Sequence, residues 1–464
     1  MNPAPRVIPI NYVADPSTRL AAEAGRPWFV FLDSCRDRTT GGRFDVISAA
    51  PRTTLTTRGR VTEIRRGDAR EHSERDPFLL IAEALPRRSD NPQALPFCGG
   101  AMGYFAYDLG RRIEQLPDLA AADIDIPDMA VGIYDWAAVV DHERERAWLV
   151  ARPDAEVDIE HWTHVLTAPE PLTPAAYGTS FQVTSAVKPD MSFAEYAEKF
   201  ARIKRYILDG DCYQVNLAQR FSADVRGSSW DAYLRLRHLN PAPYSAFMRL
   251  EEGAILSSSP ERFLSVRDRA VETKPIKGTR PRDADPVTDR RLAEELRVSE
   301  KDRAENVMIV DLLRNDLGKS CEIGSVAVPE LFAIESFATV HHLVSTVRGA
   351  LADDVSETDL LRGCFPGGSI TGAPKLRAME IIEELEPFRR TVYCGAIGYL
   401  SGDGSMDTNI AIRTLVHHRD TMVCWAGGGI VADSELQAEY SESLDKAAAM
   451  LDVFIHAEAQ NLDY

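Results

Sequence analysis

Two stretches of the chain place carboxylates at helical spacing. Asp302 and Glu305 lie three residues apart, and so do Glu439 and Glu442, with Lys446 four residues further on. Residues at these spacings share one face of a helix. Two such helices facing each other would offer hard oxygen ligands to Mg²⁺, which takes one or two protein carboxylates and completes its shell with water and substrate oxygens. The alternative is a solvated helix face carrying supporting ion pairs.

Two loops are rich in glycine. Phe365-Pro366-Gly367-Gly368-Ser369-Ile370-Thr371-Gly372-Ala373-Pro374-Lys375 runs into a predicted helix, and Ala426-Gly427-Gly428-Gly429-Ile430 precedes the second acidic one. Exposed amides in such loops bind anions, but glycine also serves plain turns. The first loop is not a P-loop, because Gly372 is followed by Ala373-Pro374-Lys375 rather than Lys-Ser/Thr. Lys274 and Lys277 sit in Thr273-Lys274-Pro275-Ile276-Lys277-Gly278-Thr279. A partly desolvated lysine there could be a neutral base or nucleophile, or either could be a plain surface cation. Glu261, in Ser259-Pro260-Glu261-Arg262, is either a general acid or a partner for Arg262 or another surface cation. His341 and His342 are adjacent, so on a strand they point to opposite faces and at most one reaches a site.

The elements that must position these groups read as a mixture. The first 165 or so residues suggest short strands, among them 28–32 and 44–48, with 134–140 and 147–151 as an antiparallel pair. Proline and small residues at 168–174 suggest a linker. Beyond it, Ser192 and Glu195 form a capping box for a helix that ends at Asp209-Gly210. Further helices are predicted from near Ser299 to Gly318, from Pro374 as first residue, and after Ser434; strands are predicted at 392–400, 408–415 and 421–426. The class is α+β with antiparallel sheets, in two regions, 1–170 and 180–458.

Composition narrows the function. The 464 residues carry 71 Asp plus Glu against 53 Lys plus Arg, a net charge of −18, and no long basic run, which argues against nucleic-acid binding. Seven scattered cysteines without a CxxC pair suggest reduced thiols rather than disulfides or zinc. Neither a signal peptide nor an apolar run of membrane-spanning length is evident, so a cytoplasmic protein without membrane contact is expected.

Taken together, Gln214-Val215-Asn216-Leu217, Ser259 to Phe263, Pro275 to Thr279, Lys301 to Asn306, Arg314-Asn315-Asp316-Leu317-Gly318, Gly367 to Lys375, Met406-Asp407 with Ile412-Arg413-Thr414, and Gly427 to Ser434 resemble the chorismate-utilising enzymes. Arg43-Phe44-Asp45 and Gly99-Gly100 to Asp108 resemble the N-terminal portion of that family. The resemblance implies an anthranilate synthase component I-like fold: two large antiparallel sheets packed as a sandwich, with helices outside. Within the family, Lys277 is similar to the aminodeoxychorismate-forming type; anthranilate synthase component I, the alternative reading, usually has alanine there. Gln214 stands where isochorismate-type enzymes usually carry a water-activating lysine. Asn216 and Ile370-Thr371 also favour the aminodeoxychorismate type.

The family resemblance implies a set of roles. Chorismate and ammonia would give 4-amino-4-deoxychorismate, a precursor of 4-aminobenzoate and folate, in an Mg²⁺-dependent amino-transferring (transaminase-class) reaction. Lys277 would form a covalent intermediate and Glu261 would donate a proton. Glu305 and Glu442 would hold the metal, with Asp302 and Glu439 holding its waters. Lys446 and the amides around Gly428 and Gly429 would hold the ring carboxylate; Arg413, with Tyr393, would hold the enolpyruvyl carboxylate. His342 would line the ring pocket, with Gln214, Thr371 and Gly372 also near the substrate. A glutamine amidotransferase subunit, component II, would supply ammonia as a heterodimer partner. Ser34, Pro241 and Tyr244 are a candidate tryptophan site in the segments matching the family's N-terminal half.

Overall fold

The computed structural model describes residues 4–35, 42–91, 93–167, 181–337 and 340–459. The predicted linker at 168–174 lies outside the described residues. Among those residues the chain forms two antiparallel sheets of 13 and 12 strands, in which 188–189 and 372–373 pair with 214–226 of the first, and 327–336 pairs with 340–350 of the second, beside the main strand orders. The first runs in the order 6–10, 146–151, 136–141, 44–48, 30–33, 244–249, 253–259, 414–418, 421–430, 214–226 and 182–183. The second runs 276–281, 340–350, 270–273, 262–267, 406–410, 396–401, 100–105, 129–134, 53–58, 61–66 and 69–73. Each sheet therefore combines strands from before residue 170 and after residue 180.

The two sheets bury their facing sides in one core. Val30, Val46, Ala246, Ile255 and Trp425 of the first meet Leu55, Met102, Tyr104, Leu264 and Ile397 of the second. The outer face of the first sheet is covered by helices Ile159–Thr167, Ser229–Leu239 and Leu436–Ala459, through Trp162, Trp230, Tyr233, Met450 and Phe454. Helices Phe193–Leu208 and Lys375–Leu385 share one apolar cluster with Val215 and Leu217 of the long strand Gln214–Arg226. This is the α+β sandwich with outer helices that the sequence leads one to expect.

Local signals hold where capping chemistry is explicit. The Ser192–Glu195 capping box is formed, and Ser299 caps helix Glu300–Gly318. Pro374 departs by one position: its extended backbone (φ −65°, ψ 144°) makes it the cap, and the helix starts at Lys375. The predicted strand 392–400 starts only at Ala396, because Thr391 and Cys394 take left-handed conformations and turn the chain. The predicted strand 408–415 is two strands, Met406–Ile410 in the second sheet and Thr414–His418 in the first. The chain crosses between sheets at Ala411–Arg413, where Arg413 has φ 52°. Hydrophobic patterning continues through the crossover, since both strands face the shared core, so periodicity alone cannot locate the break.

Candidate active site

A cavity of about 560 Å³ opens between the sheet ends and two helices. Helix Glu300–Gly318 contributes Lys301, Asp302 and Glu305; helix Leu436–Ala459 contributes Glu439, Glu442 and Lys446. Lys301 Nζ lies 3.6 Å from Glu439 Oε1, so the two acidic helix faces look at each other across one space. Strand Thr421–Ile430 brings Gly428 and Gly429, the sheet crossover brings Arg413, and the turn before Ala396 brings Tyr393. Tyr393 is stacked on Trp425 with centroids 6.2 Å apart.

Lys277 reaches the cavity because its strand is irregular. Strand Ile276–Pro281 pairs with Val340–Ala350, but Ile276 faces Val344 while Thr279 faces His342, so an extra residue is inserted between them. Such a bulge re-aims side chains. Gly278 within it has φ 83°, and a Cβ there would lie 2.9 Å from Asp302 Cγ, so glycine suits both the conformation and the close approach. Lys277 Nζ donates to the Ser369 carbonyl at 3.0 Å. Burial pulls its pKa below the ordinary lysine value, while Glu305 and Glu261 pull the other way. Lys274, by contrast, forms an ion pair with Glu335 outside this cavity.

Glu261 is buried, and its Oε1 accepts a hydrogen bond of 2.8 Å from Ser369 Oγ. Burial raises its pKa, against the opposing pull of Ser369 and Lys277. A depressed lysine and an elevated carboxyl in one cavity mark an amine that can lose its proton and an acid that can keep one. Arg262, the alternative partner for Glu261, instead pairs with Glu272 and Asp407. His342 lines the cavity, with Nδ1 2.8 Å from Thr279 Oγ1, and burial with the nearby Arg413 lowers its pKa to about 4. His341 points away, to Ser336 and Asp289.

The carboxylates differ in their partners. Glu442 bonds Lys446 at 2.6 Å; burial pushes its pKa up, but Lys446, Lys301 and Lys277 together outweigh this and it stands below the ordinary value. Glu439 accepts from Ser434 Oγ at 2.6 Å, and Asp302 pairs with Arg280 at 3.2 Å. Glu305 has no hydrogen-bond donor among the described residues, and burial raises its pKa. No three such ligands gather around one point among the described residues. The set still fits Mg²⁺, which needs only one or two protein carboxylates beside water and substrate oxygens. Gly428 lets the carboxylates approach the strand closely: a Cβ on it would stand 3.2 Å from Glu439 Oε2, a crowded contact, and 3.8 Å from Glu442 Oε1. Lys446 Nζ also donates to the Gly427 carbonyl at 3.1 Å.

Three of the expected substrate residues stand behind the wall. Gln214 is buried and donates to Asn216 Oδ1 at 3.1 Å; a Cβ on Gly429 would lie 2.4 Å from its Nε2. Thr371 Oγ1 bonds the carbonyls of Gly367 and Gly368, both at 3.3 Å, and Gly372 pairs with Val215. Thr371 and Gly372 thus pack as supports of the loop, while Ser369 and Ile370 line the cavity. Sequence reasoning does not single out Ser369, Thr279 or Trp425, which line the cavity. A hydroxyl inside a glycine-rich loop is the one signal that points to Ser369.

A second cavity of about 560 Å³ between the sheets is lined by Asp33, Pro243, Tyr244 and Arg262. Of the three residues of the candidate tryptophan site, Tyr244 lines this cavity. Pro241 is exposed, and Ser34 is tied to Asp45 by a 2.7 Å bond.

The family model for chorismate binding enzymes matches residues 29–452. The chain is 53% identical to aminodeoxychorismate synthase component 1 of Klebsiella aerogenes over 92% of its length and 94% of that protein. It is 50% identical to the same component of Escherichia coli K12, covering 92% and 93%. A crystal structure of anthranilate synthase component I from Streptococcus pneumoniae superposes with a TM-score of 0.78 at 34% identity, covering 88% of this chain and 92% of that one.

Proposed function

The chain belongs to the chorismate binding enzymes, and from that premise we propose that it converts chorismate and ammonia into 4-amino-4-deoxychorismate, an amino transfer that retains the enolpyruvyl group. The observation that carries this reading is Lys277: an amine with depressed basicity, aimed by a bulge into the cavity beside the raised acid Glu261. The relatives at 53% and 50% identity, both aminodeoxychorismate synthase component 1, support it.

The Lys277 amine attacks ring carbon 2. Both double bonds of the ring diene shift, the carbon 4–oxygen bond breaks, and Glu261 gives its proton to the departing hydroxyl, which leaves as water, so that the lysine nitrogen is a secondary ammonium and Glu261 a carboxylate. Ammonia then attacks carbon 4, both double bonds shift back, the lysine leaves as a neutral amine, and the new ammonium returns a proton to Glu261, so two displacements restore the original stereochemistry. Arg413 presents a guanidinium fork suited to the enolpyruvyl carboxylate. Lys446 and the Gly428 and Gly429 amides face the ring carboxylate. His342, with its pKa near 4, is neutral near pH 7 and lines the ring without adding charge.

Mg²⁺ would be held by Glu305 and Glu442, with Asp302 and Glu439 orienting its waters. It would supply charge neutralisation and orientation for a carboxylate substrate. The wall supports this need: Glu261, Asp302, Glu305, Glu439, Glu442 and Asp445 outnumber Lys277, Arg280, Lys301, Arg413 and Lys446. A cavity with that balance does not by itself attract a dianion.

The relatives are designated component 1, and this supports a second component, a glutamine amidotransferase, as the ammonia source. All seven cysteines are free thiols, which supports a reducing, cytoplasmic setting; no helix among the described residues is long and apolar enough to cross a membrane. The test is product identity. With chorismate, Mg²⁺ and ammonium, the protein is expected to release aminodeoxychorismate and no pyruvate, and chelation should abolish turnover. Direct release of anthranilate and pyruvate would overturn the reading.

A further inference from the structure

Ser369 touches both reacting groups of the proposed chemistry through different atoms. Its carbonyl oxygen accepts from Lys277 Nζ at 3.0 Å, and its hydroxyl donates to Glu261 Oε1 at 2.8 Å. We propose that Ser369 is the positioning residue that sets nucleophile and acid in register, the carbonyl aiming the Lys277 lone pair and the hydroxyl fixing which Glu261 oxygen carries the proton. This rests on the chorismate reading above.

The geometry gives each contact a separate consequence. A neutral amine has one lone pair, roughly tetrahedral to its N–H bonds. With one N–H donated to the Ser369 carbonyl, the lone pair is turned away from the loop. A protonated carboxyl has one acceptor-like oxygen and one hydroxyl oxygen. A donor on Oε1 makes that the acceptor and puts the acidic proton on Oε2. Ser369 itself exchanges no proton.

The residue is held independently of any substrate. It is buried at 6% exposure. Asn216 Nδ2 also reaches its carbonyl at 3.4 Å, Arg390 Nη1 donates to the next carbonyl, Ile370, at 3.0 Å, and the Asn216 amide donates to the Thr371 carbonyl at 2.9 Å. The loop is thus fixed at Ser369 and at the two residues that follow it, as a preorganised site requires. Glu261 is faced by Ser369 from this loop, by Lys277 and the Ile276 amide from the bulged strand, by Lys446 from the C-terminal helix and by Cys394 from the turn before Ala396. Among these, the Ser369 hydroxyl is the side-chain hydrogen-bond donor to the Glu261 carboxyl.

The experiment compares wild type, Ser369→Ala, Ser369→Cys and Ser369→Thr. It uses steady-state turnover with ammonium and the pH dependence of adduct formation on Lys277 without ammonium. Ser369→Ala is expected to lower kcat by about 10- to 100-fold, the scale of one hydrogen bond to the negative charge that develops on Glu261 as it gives up its proton, with KM little changed. Losing the donor also moves the acid limb of the pH profile to higher pH, which a merely structural lesion would not do. Ser369→Thr restores both values, and Ser369→Cys, a weak donor of similar size, does not. Equal kcat and an unmoved acid limb in Ser369→Ala overturn the assignment, as do matching values for the Cys and Thr variants should Ser369→Ala fail to fold. Release of anthranilate by wild type instead identifies a failure of the underlying reaction and removes the role of Ser369 with it.

Discussion

Lys277 and Glu261 carry the proposed chemistry as a pair, and their pH behaviour must be read as a pair. The productive form has a neutral lysine and a protonated carboxyl. It holds the same number of protons as the ion pair, so its fraction is greatest between the two apparent pKa values. Below the lower one both groups are protonated and the amine cannot attack; above the upper one both are deprotonated and no acid remains. Burial raises Glu261 and lowers Lys277, so the bell is narrower than for exposed groups, its acid limb above the usual carboxylate range and its basic limb below the usual lysine range. The clean readout is the rate of adduct formation on Lys277, followed by intact mass without ammonium. Lys277→Ala should form no adduct. Glu261→Gln should slow adduct formation by about 10²- to 10⁴-fold, the usual contribution of a general acid. Its residual rate should rise through the lysine pKa, where the wild-type rate falls, since only amine deprotonation then matters. A residual rate that still falls on the basic side would exclude Glu261 as the acid.

At the scale of elements, the site depends on irregularities that join regular pieces. The bulge at Lys277–Gly278, the crossover at Ala411–Arg413 and the loop 367–372 each place a functional side chain. One buried residue ties the loop to the strand and helix beside it. Arg390, 1% exposed, donates to Glu386 through Nε at 2.9 Å and Nη2 at 2.6 Å, to the Ile370 carbonyl at 3.0 Å and to the Asn216 carbonyl at 2.9 Å. Glu386 in turn accepts from the Ala218 amide at 2.9 Å. Burial opposes the charge of Arg390, but Glu386 more than offsets this and keeps it ionised. Arg390→Met leaves the Glu386 carboxylate buried without its cation, a lesion of about 3–5 kcal/mol. The urea midpoint should fall accordingly, and Glu386→Gln in the same chain should recover part of the loss; an unchanged midpoint would sink the clamp. The same irregularities mark the limit of sequence reading. Helix caps at Ser192 and Ser299 were legible because a side chain meets specific backbone donors a few residues away. The acidic pairs were legible as helix faces, and the family motifs gave them a shared site. The split of 408–415 into strands of two sheets, and the retreat of Gln214 and Thr371 behind the wall, were not legible, because contacts distant in sequence decide them.

At the scale of the molecule, every proposed catalytic and metal residue lies after position 180, yet the frame that holds them does not. Each sheet has one seam between the two sequence regions. In the first, Val30–Asp33 pairs with Tyr244–Arg249; in the second, Gly100–Phe105 pairs with Ala396–Ser401 over six residue pairs. The shared core crosses the same boundary, with Val30, Met102 and Tyr104 packed among Ala246, Ile255 and Ile397. Asp33 is also buried against the catalytic region, where it accepts from Tyr233 Oη at 2.8 Å and pairs with Arg237 Nε at 2.5 Å. Removing residues 1–170 would expose two strand edges and one face of the core together. Unpaired edges template aggregation, and the lost apolar burial, at about 25 cal/mol per Å², far exceeds the about 5–15 kcal/mol by which a domain is normally stable. The fragment 180–458 is therefore expected to show no cooperative thermal transition and no adduct with chorismate, although it contains Lys277 and Glu261. Coexpression with 1–170 as a separate chain should restore both, because the seams are non-covalent. A cooperative melt of the isolated fragment near the full-length midpoint would mean that the catalytic region carries its own core and that the seams are only contacts between finished units.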